Sequence, residues 1–222
     1  MSETSKTRQQ FGELERAIVH GRVLDVGAGD DSITPEAIAF DVDSGDANYI
    51  TAFQPESFDL VYSSHCLEHM YDPARSIANW WSLVKPGGHL FVIVPDEDLY
   101  EQGVFPSRFN SDHKHTFTIT KKVSWSTNSI NLLDLAKSLP GGDILSIVLN
   151  DYGYDRSVGY HGASSKNGFL RWLRKIYRSL RKRGLCRRWP RFERWMASTV
   201  GWDQLFEKQT MAQLELIVHK RR

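Results

Sequence analysis

The stretch Gly21-Arg22-Val23-Leu24-Asp25-Val26-Gly27-Ala28-Gly29-Asp30-Asp31 constrains the chain more than any other. Val23, Leu24 and Val26 form a short apolar run with β-branched members, the signature of a strand buried on both faces. Gly27 and Gly29 follow at once. Glycines at a strand's carboxyl end allow a tight turn, and backbone N–H groups there can approach a ligand closely. Asp25 adds an acceptor beside the turn. Taken alone, the turn is compatible with a dinucleotide, another ligand, or none.

The rest of the chain supplies an alternating pattern. A helix is expected over Arg8 to His20, with Phe11, Leu14, Ala17 and Ile18 on one face. A second strand is expected at Ala37 to Phe40, closed by Asp41-Val42-Asp43. Only Asp30 to Glu36 separate it from the first, too few residues for an ordinary crossover helix. Asn48 to Thr51 offers a short third strand. Phe58 to Tyr62 is a further strand. Asp72-Pro73 opens a helix, with the acid as N-cap and proline at the first position. Lys85-Pro86-Gly87-Gly88 stops that helix, and a strand runs from His89 to Val94. A helix over Asn128 to Ser138 with Thr127 as its cap, a strand at Ile144 to Leu149 and a last strand at Ala212 to His219 complete the pattern. Strands alternating with helices predict an α/β fold with a mostly parallel sheet and an antiparallel last strand.

At 222 residues the chain is expected to form a single domain. The polar start has no signal-peptide core, and no apolar run reaches the roughly 20 residues that span a bilayer. Two cysteines far apart, Cys66 and Cys186, suggest a reducing, cytoplasmic setting and lack zinc-site spacing. The net charge of +1 hides an asymmetry. Arg171 to Arg191 carries ten Lys or Arg residues and no acid, leaving 18 of the 28 basic residues against all 27 acids elsewhere. Phe169, Leu170, Leu173, Ile176, Tyr177 and Leu180 recur there at helical spacing. Residues 160–205 therefore predict a basic helical insertion before the last strand. It is suited to an anionic membrane surface, to phosphates of a glycan precursor, or to lidding a site. No RNA-binding motif accompanies it, so nucleic acid is an unexpected partner.

Several signals now stand in one order: the glycine turn, Asp41 at the end of strand two, Pro55 to Val61, His65-Cys66-Leu67-Glu68-His69, Lys85 to Leu90, Val94-Pro95-Asp96, and Gln213-Leu214-Glu215. In this order the chain resembles the class I S-adenosylmethionine-dependent methyltransferases. It is most similar to short members found with cell-surface polysaccharide and lipopolysaccharide genes. The resemblance implies a Rossmann-like fold, S-adenosylmethionine as cofactor, and O-methylation of a sugar or surface glycan. An RNA or other small-molecule acceptor, or a silent cofactor-binding scaffold, is the alternative. It also implies that Asp25, Gly27, Ala28 and Gly29 line the amino-acid part of the cofactor, that Asp41 takes the ribose, that Val42, Ala52 and Phe53 frame the adenine, and that Ser64 and His65 lie near the methionine end. Ser32 stands where a dinucleotide fingerprint has its third glycine, which argues against a nicotinamide cofactor.

A hydroxyl acceptor benefits from a base that titrates near neutrality. His65, His69, His113 and His115 are available. His115 is the first choice, with His69 and Asp96 beside it. No metal is expected. The alternative set is His65, Glu68, His69 and His115, which resembles the glutamate-x-x-glutamate-histidine site of metal-assisted small-RNA and quinone O-methyltransferases.

Overall fold

Four parallel strands set the frame, and each ends at the same edge. In the computed structural model they are β1 (Val23–Val26), β2 (Ile38–Phe40), β3 (Phe58–Ser64) and β4 (Val84–Pro95). Residues 3–107, 109–156 and 210–222 are described, with scattered positions from 169 to 191 and 204–206. A small parallel pair, β5 (Thr116–Thr118) and β6 (Ser129–Asn131), lies beyond β4. β7 (Gly142–Asn150) and β8 (Gln213–Lys220) complete the main sheet, ordered β2-β1-β3-β4-β8-β7. β8 runs antiparallel to both of its neighbours. The expected mixed α/β sheet is therefore present.

Alternation along the strands separates two cores. Leu24 and Val26 of β1 pack toward helix α3 (Pro73–Leu83), whose Ile77, Trp80 and Trp81 fill that side together with Leu132, Leu135 and Ala136 of helix α4 (Leu132–Lys137). Val23 turns the other way, with Leu60, Tyr62, Phe91 and Ile93, onto Phe11 and Ile18 near helix α2 (Glu13–Ile18). The result is a three-layer α/β/α arrangement.

Some local expectations change, each for a physical reason. The helix expected over Arg8 to His20 is broken. Helix α1 (Glu3–Arg8) ends early, and Gly12 begins α2 by donating its N–H to Glu15 Oε2 at 2.8 Å. Asn48 to Thr51 is not a strand. The Asn79 side chain of α3 meets both backbone groups of Ile50, at 2.8 and 3.2 Å, while Trp80 Nε1 donates to Ala47 O. Side chains of α3 thus take the place of a strand partner, and β2 is left as the sheet edge. Asn131, not Thr127, caps α4, accepting from Leu133 and Asp134 N–H, because Ser129–Asn131 extends to pair with β5. The Lys85-Pro86-Gly87-Gly88 turn is absorbed into β4, whose register against β3 shifts between Phe58 and Leu60. Asp72 caps α3 as expected, accepting from Arg75 N–H.

Most of the basic segment at 160–205 lies outside the described residues. Phe169 and Trp172 are helical, exposed and stacked with ring centres 5.9 Å apart. No described helix is long and apolar enough to cross a membrane.

Candidate active site

The glycine turn, the ends of β2 and β3, and Pro95-Asp96 converge on the carboxyl edge of the parallel strands, where open α/β sheets bind ligands. Gly27 and Gly29 both have positive φ, 77° and 52°. Gly27 N–H donates to Phe40 O, which ties the turn to the end of β2. A Cβ on Gly27 would sit 2.6 Å from Cys66 Cβ, so the turn lies hard against the segment leaving β3. Burial pushes the Cys66 thiol up to about 12, which keeps it protonated and inert at neutral pH.

Asp41 closes the turn from the other side. Its Oδ2 accepts from Gly29 N–H at 2.6 Å and its Oδ1 from Val42 N–H at 2.7 Å. A carboxylate has about four lone-pair positions, so each oxygen keeps one for a further donor. Two adjacent hydroxyls of a ribose fit that remaining capacity. Val42 beside it is 85% exposed, an uncovered apolar side chain suited to a flat ring. Ala52 is also exposed. The Phe53 ring packs edge-on between Phe40 and Phe58, which leaves its backbone, not its ring, to face a ligand.

Asp25 sits under the turn. It is buried, and its Oδ2 accepts from Ile33 N–H at 2.6 Å. Burial lifts its pKa to about 7. Its place in the strand turns it to the α1–α2 layer, where it braces the short connection to β2. Helix α1 crosses above that connection. Ser5 donates twice to Asp31, and Thr7 Oγ1 accepts from Gln213 Nε2.

Ser64 ends β3, buried, with its hydroxyl lacking a hydrogen-bond partner. His65 follows at φ 53°, a left-handed conformation that costs energy for a side chain larger than glycine and is typical of functional loops. The next residues form a 3-10 turn, Leu67–His69, that places Glu68 inside the protein. His65 Nδ1, His69 Nε2 and His113 Nε2 surround Glu68 Oε1 at 3.5, 4.0 and 3.9 Å. Burial disfavours charge on Glu68, yet these histidines, His65 foremost, hold its carboxyl below the ordinary range. Glu68, His69, His113 and His65 line one cavity of about 210 Å³ with Tyr100 and Asn110.

The structure thus brings together three of the four residues of the alternative metal set. His115 is not among them. Its Nε2 lies 3.4 Å from Tyr71 O, and His113 occupies the position expected for it. Backbone N–H groups of Lys114 and His115 both donate to Glu68 O, which fixes His113 inward. Asp96 is 7% exposed, and its Oδ1 accepts from Asp98 and Leu99 N–H. Burial raises its pKa to about 6. Sequence reasoning missed Glu101, 2.7 Å from His113 Nδ1, and Gln213, 3.2 Å from His65 Nε2. Glu101 belongs to no motif, and Gln213 enters only as part of the last-strand signal, with no role at the site.

Comparison with known proteins bears on the family and the fold. The family model described as a methyltransferase domain matches residues 4–121, more than half of the chain. A ubiquinone biosynthesis O-methyltransferase of Ralstonia nicotianae is 43% identical over 24% of this chain and 23% of its own length. Its counterpart in Saccharophagus degradans is 34% identical over 35% of this chain and 45% of its own. The chain spans less than half the length of these curated relatives. Among solved structures, a Bacillus halodurans protein assigned as a methyltransferase matches with a TM-score of 0.52 at 14% identity, covering 100% of both chains. Phosphoethanolamine N-methyltransferase 2 of Haemonchus contortus, solved with S-adenosyl-L-methionine, matches with a TM-score of 0.51 at 14% identity over 97% of this chain and 52% of its own. These neighbours share the class I methyltransferase fold expected from the sequence. By its matched family model, the chain belongs to the methyltransferase-domain family.

Proposed function

We propose that this chain is an S-adenosylmethionine-dependent methyltransferase acting on a hydroxyl oxygen. The observation that carries the reading is the left-handed Gly27-Ala28-Gly29 turn bonded to the Asp41 carboxylate at the next strand end. Asp41 would take the ribose hydroxyls, Val42 and the backbone at Ala52 and Phe53 the adenine, and the Ser64 hydroxyl the polar methionine end. The cofactor supplies an electrophilic methyl group when bound. The chain's own task is to hold the acceptor oxygen in line and accept its proton. Asp96, with a pKa of about 6 and both of its backbone bonds on Oδ1, is suited to that proton, and His69 and His115 are the other bases proposed from the sequence.

The acceptor proposed from the sequence resemblance is a sugar or cell-surface glycan, with the basic segment at an anionic membrane face. The names of the curated relatives, O-methyltransferases of ubiquinone biosynthesis, favour a second reading, a small-molecule acceptor of ubiquinone biosynthesis. Transfer of labelled methyl to each class, followed by mass spectrometry, separates the two. Calorimetry tests the common core. S-adenosylmethionine and its demethylated product should both bind, and Asp41→Ala should weaken binding about 10- to 150-fold, the worth of charge-assisted hydrogen bonds of about 1.5–3 kcal/mol. No binding of either by the wild type rejects the enzyme reading; unchanged affinity in the variant rejects the ribose assignment.

A further inference from the structure

A second cavity, of about 380 Å³, is walled in part by the segment that leaves β4. That volume falls within the roughly 300–1,000 Å³ of small-molecule sites. Asp98, Leu99, Gln102, Trp125, Tyr154 and Arg156 are among its lining residues. One wall hangs from Asp96, whose Oδ1 accepts from the N–H groups of Asp98 at 3.1 Å and Leu99 at 2.9 Å. Asp96 also reaches another wall. The hydrogen bonds and charge of Asp151, and then the charge of Asp96, raise the Arg156 pKa, so Arg156 lies within electrostatic reach of the proposed base.

The lining is held in place before any ligand arrives. Trp125 Nε1 donates to Asp98 Oδ1 at 3.1 Å, which fixes the indole while the residue stays 39% exposed. The Trp125 loop is tied to buried Glu97, whose Oε1 accepts from Lys121 Nζ and Ser124 Oγ, both at 2.9 Å. Tyr154 Oη donates to Leu99 O at 2.6 Å and accepts from Gln102 Nε2 at 3.2 Å. Gln102 has φ 55°, a left-handed conformation that costs a non-glycine residue energy and clusters at ligand sites. Polar capacity is left over. Trp125 and Lys121 both donate to Asp98 Oδ1, and among the described residues no hydrogen bond reaches Oδ2. Arg156 directs Nε and Nη2 to Asp151, and a guanidinium has about five N–H donors, so others remain.

An exposed indole beside an acceptor and a donor suits a ring that has both an apolar face and hydroxyl groups. A pyranose has both. Its axial C–H groups can lie against the negative π-face of an indole. Its hydroxyls can donate to Asp98 Oδ2 and accept from Arg156. A flat quinone or phenol instead seeks apolar cover on both faces, and Leu99 is the one aliphatic side chain in this lining. We propose that this cavity binds a sugar ring, with Trp125 as the stacking platform and Asp98 and Arg156 as hydroxyl partners. The site deepens the methyl-transfer reading by seating a saccharide acceptor next to Asp96. That a hydroxyl of this sugar takes the methyl rests on that reading; sugar binding itself does not.

Binding is read on the full chain without cofactor, by saturation-transfer NMR and calorimetry. The probes are the methyl glycosides of glucose, galactose, mannose and N-acetylglucosamine. At least one should bind, and Trp125→Ala should weaken it at least about 10-fold, the loss expected of an aromatic anchor. Trp125→Phe keeps a ring face and should lose less. Val123→Ser, in the same loop at an exposed position outside the lining, should leave affinity unchanged. Should Trp125→Ala fail to fold, exposed Arg156→Gln decides, with a loss expected. Failure of every glycoside to bind overturns the site. So does undiminished binding in the folded variant, or an equal loss in Val123→Ser. Catechol binding that Trp125→Ala removes, with no glycoside bound, rejects the sugar in favour of a phenol. Calorimetry with S-adenosylmethionine is read separately, and Trp125→Ala should bind it as the wild type does. Glycoside binding by a protein that ignores the cofactor would keep this site and reject the methyl-transfer reading.

Discussion

Gly27→Ala should lower unfolding free energy by about 2–5 kcal/mol and abolish cofactor binding. Two costs combine. Gly27 has φ 77°, and a left-handed conformation costs an L-residue about 1–2 kcal/mol. The new Cβ would also meet Cys66 Cβ at 2.6 Å and Sγ at 2.8 Å. Cys66 is buried and has little room to retreat, and overpacking of this kind costs about 1–3 kcal/mol. Gly29→Ala is the contrast. A Cβ there has nothing nearer than Asp41 Oδ2 at 4.0 Å, so only the backbone cost of about 1–2 kcal/mol applies. Adding Cys66→Gly to Gly27→Ala should recover the steric part and leave the conformational part. Denaturant titration of the four proteins checks the scheme. Wild-type stability in Gly27→Ala would show that the turn is not packed against the exit of β3.

The same turn shows which features of a chain can be read locally. Gly27, Gly29 and Asp41 were legible because each carries its own constraint, a backbone conformation or a charge at a strand end. Strands β1, β3, β4 and β8 were legible because continuous apolar runs admit little else. The stretch around Ile50 was not. Its composition allows a strand, but Asn79, 29 residues away, satisfies its backbone. The break at Gly12 depends on one side chain, Glu15, reaching back. Within the site, His65, Glu68 and His69 stand together in sequence and were legible as a group. The sequence points to His115, whereas the structure groups His113 with Glu68 and His69; both stand at the same parity before β5, so spacing does not separate them. The choice is made by two backbone bonds to Glu68 O and by Glu101, which the topology delivers from another loop. Residues that orient other residues leave no periodic trace.

Asp25→Asn should convert a pH-sensitive fold into a less sensitive one, with the gain appearing at the alkaline end. Burial raises the folded-state pKa of Asp25 to about 7, and the charges of Asp31 and Asp41 push the same way, against the Ile33 N–H bond. The unfolded chain ionises this group near its ordinary value of 3.8. Between these values the folded state holds a proton that the unfolded state has released. Raising the pH therefore favours unfolding, by up to about 1.4 kcal/mol per pH unit. Stability contributed by the protonated form is fully present below about pH 4 and falls through pH 7, by at most about 4 kcal/mol in total. An asparagine keeps an oxygen for Ile33 N–H and carries no charge. Its melting temperature should approach the wild-type value at pH 4–5 and exceed it increasingly toward pH 8. Parallel profiles for the two proteins would mean that Asp25 is ionised in the folded state at neutral pH. The carboxylate beneath the glycine turn would then be a negative charge available to the cofactor's sulfonium, not a neutral brace for the loop above it.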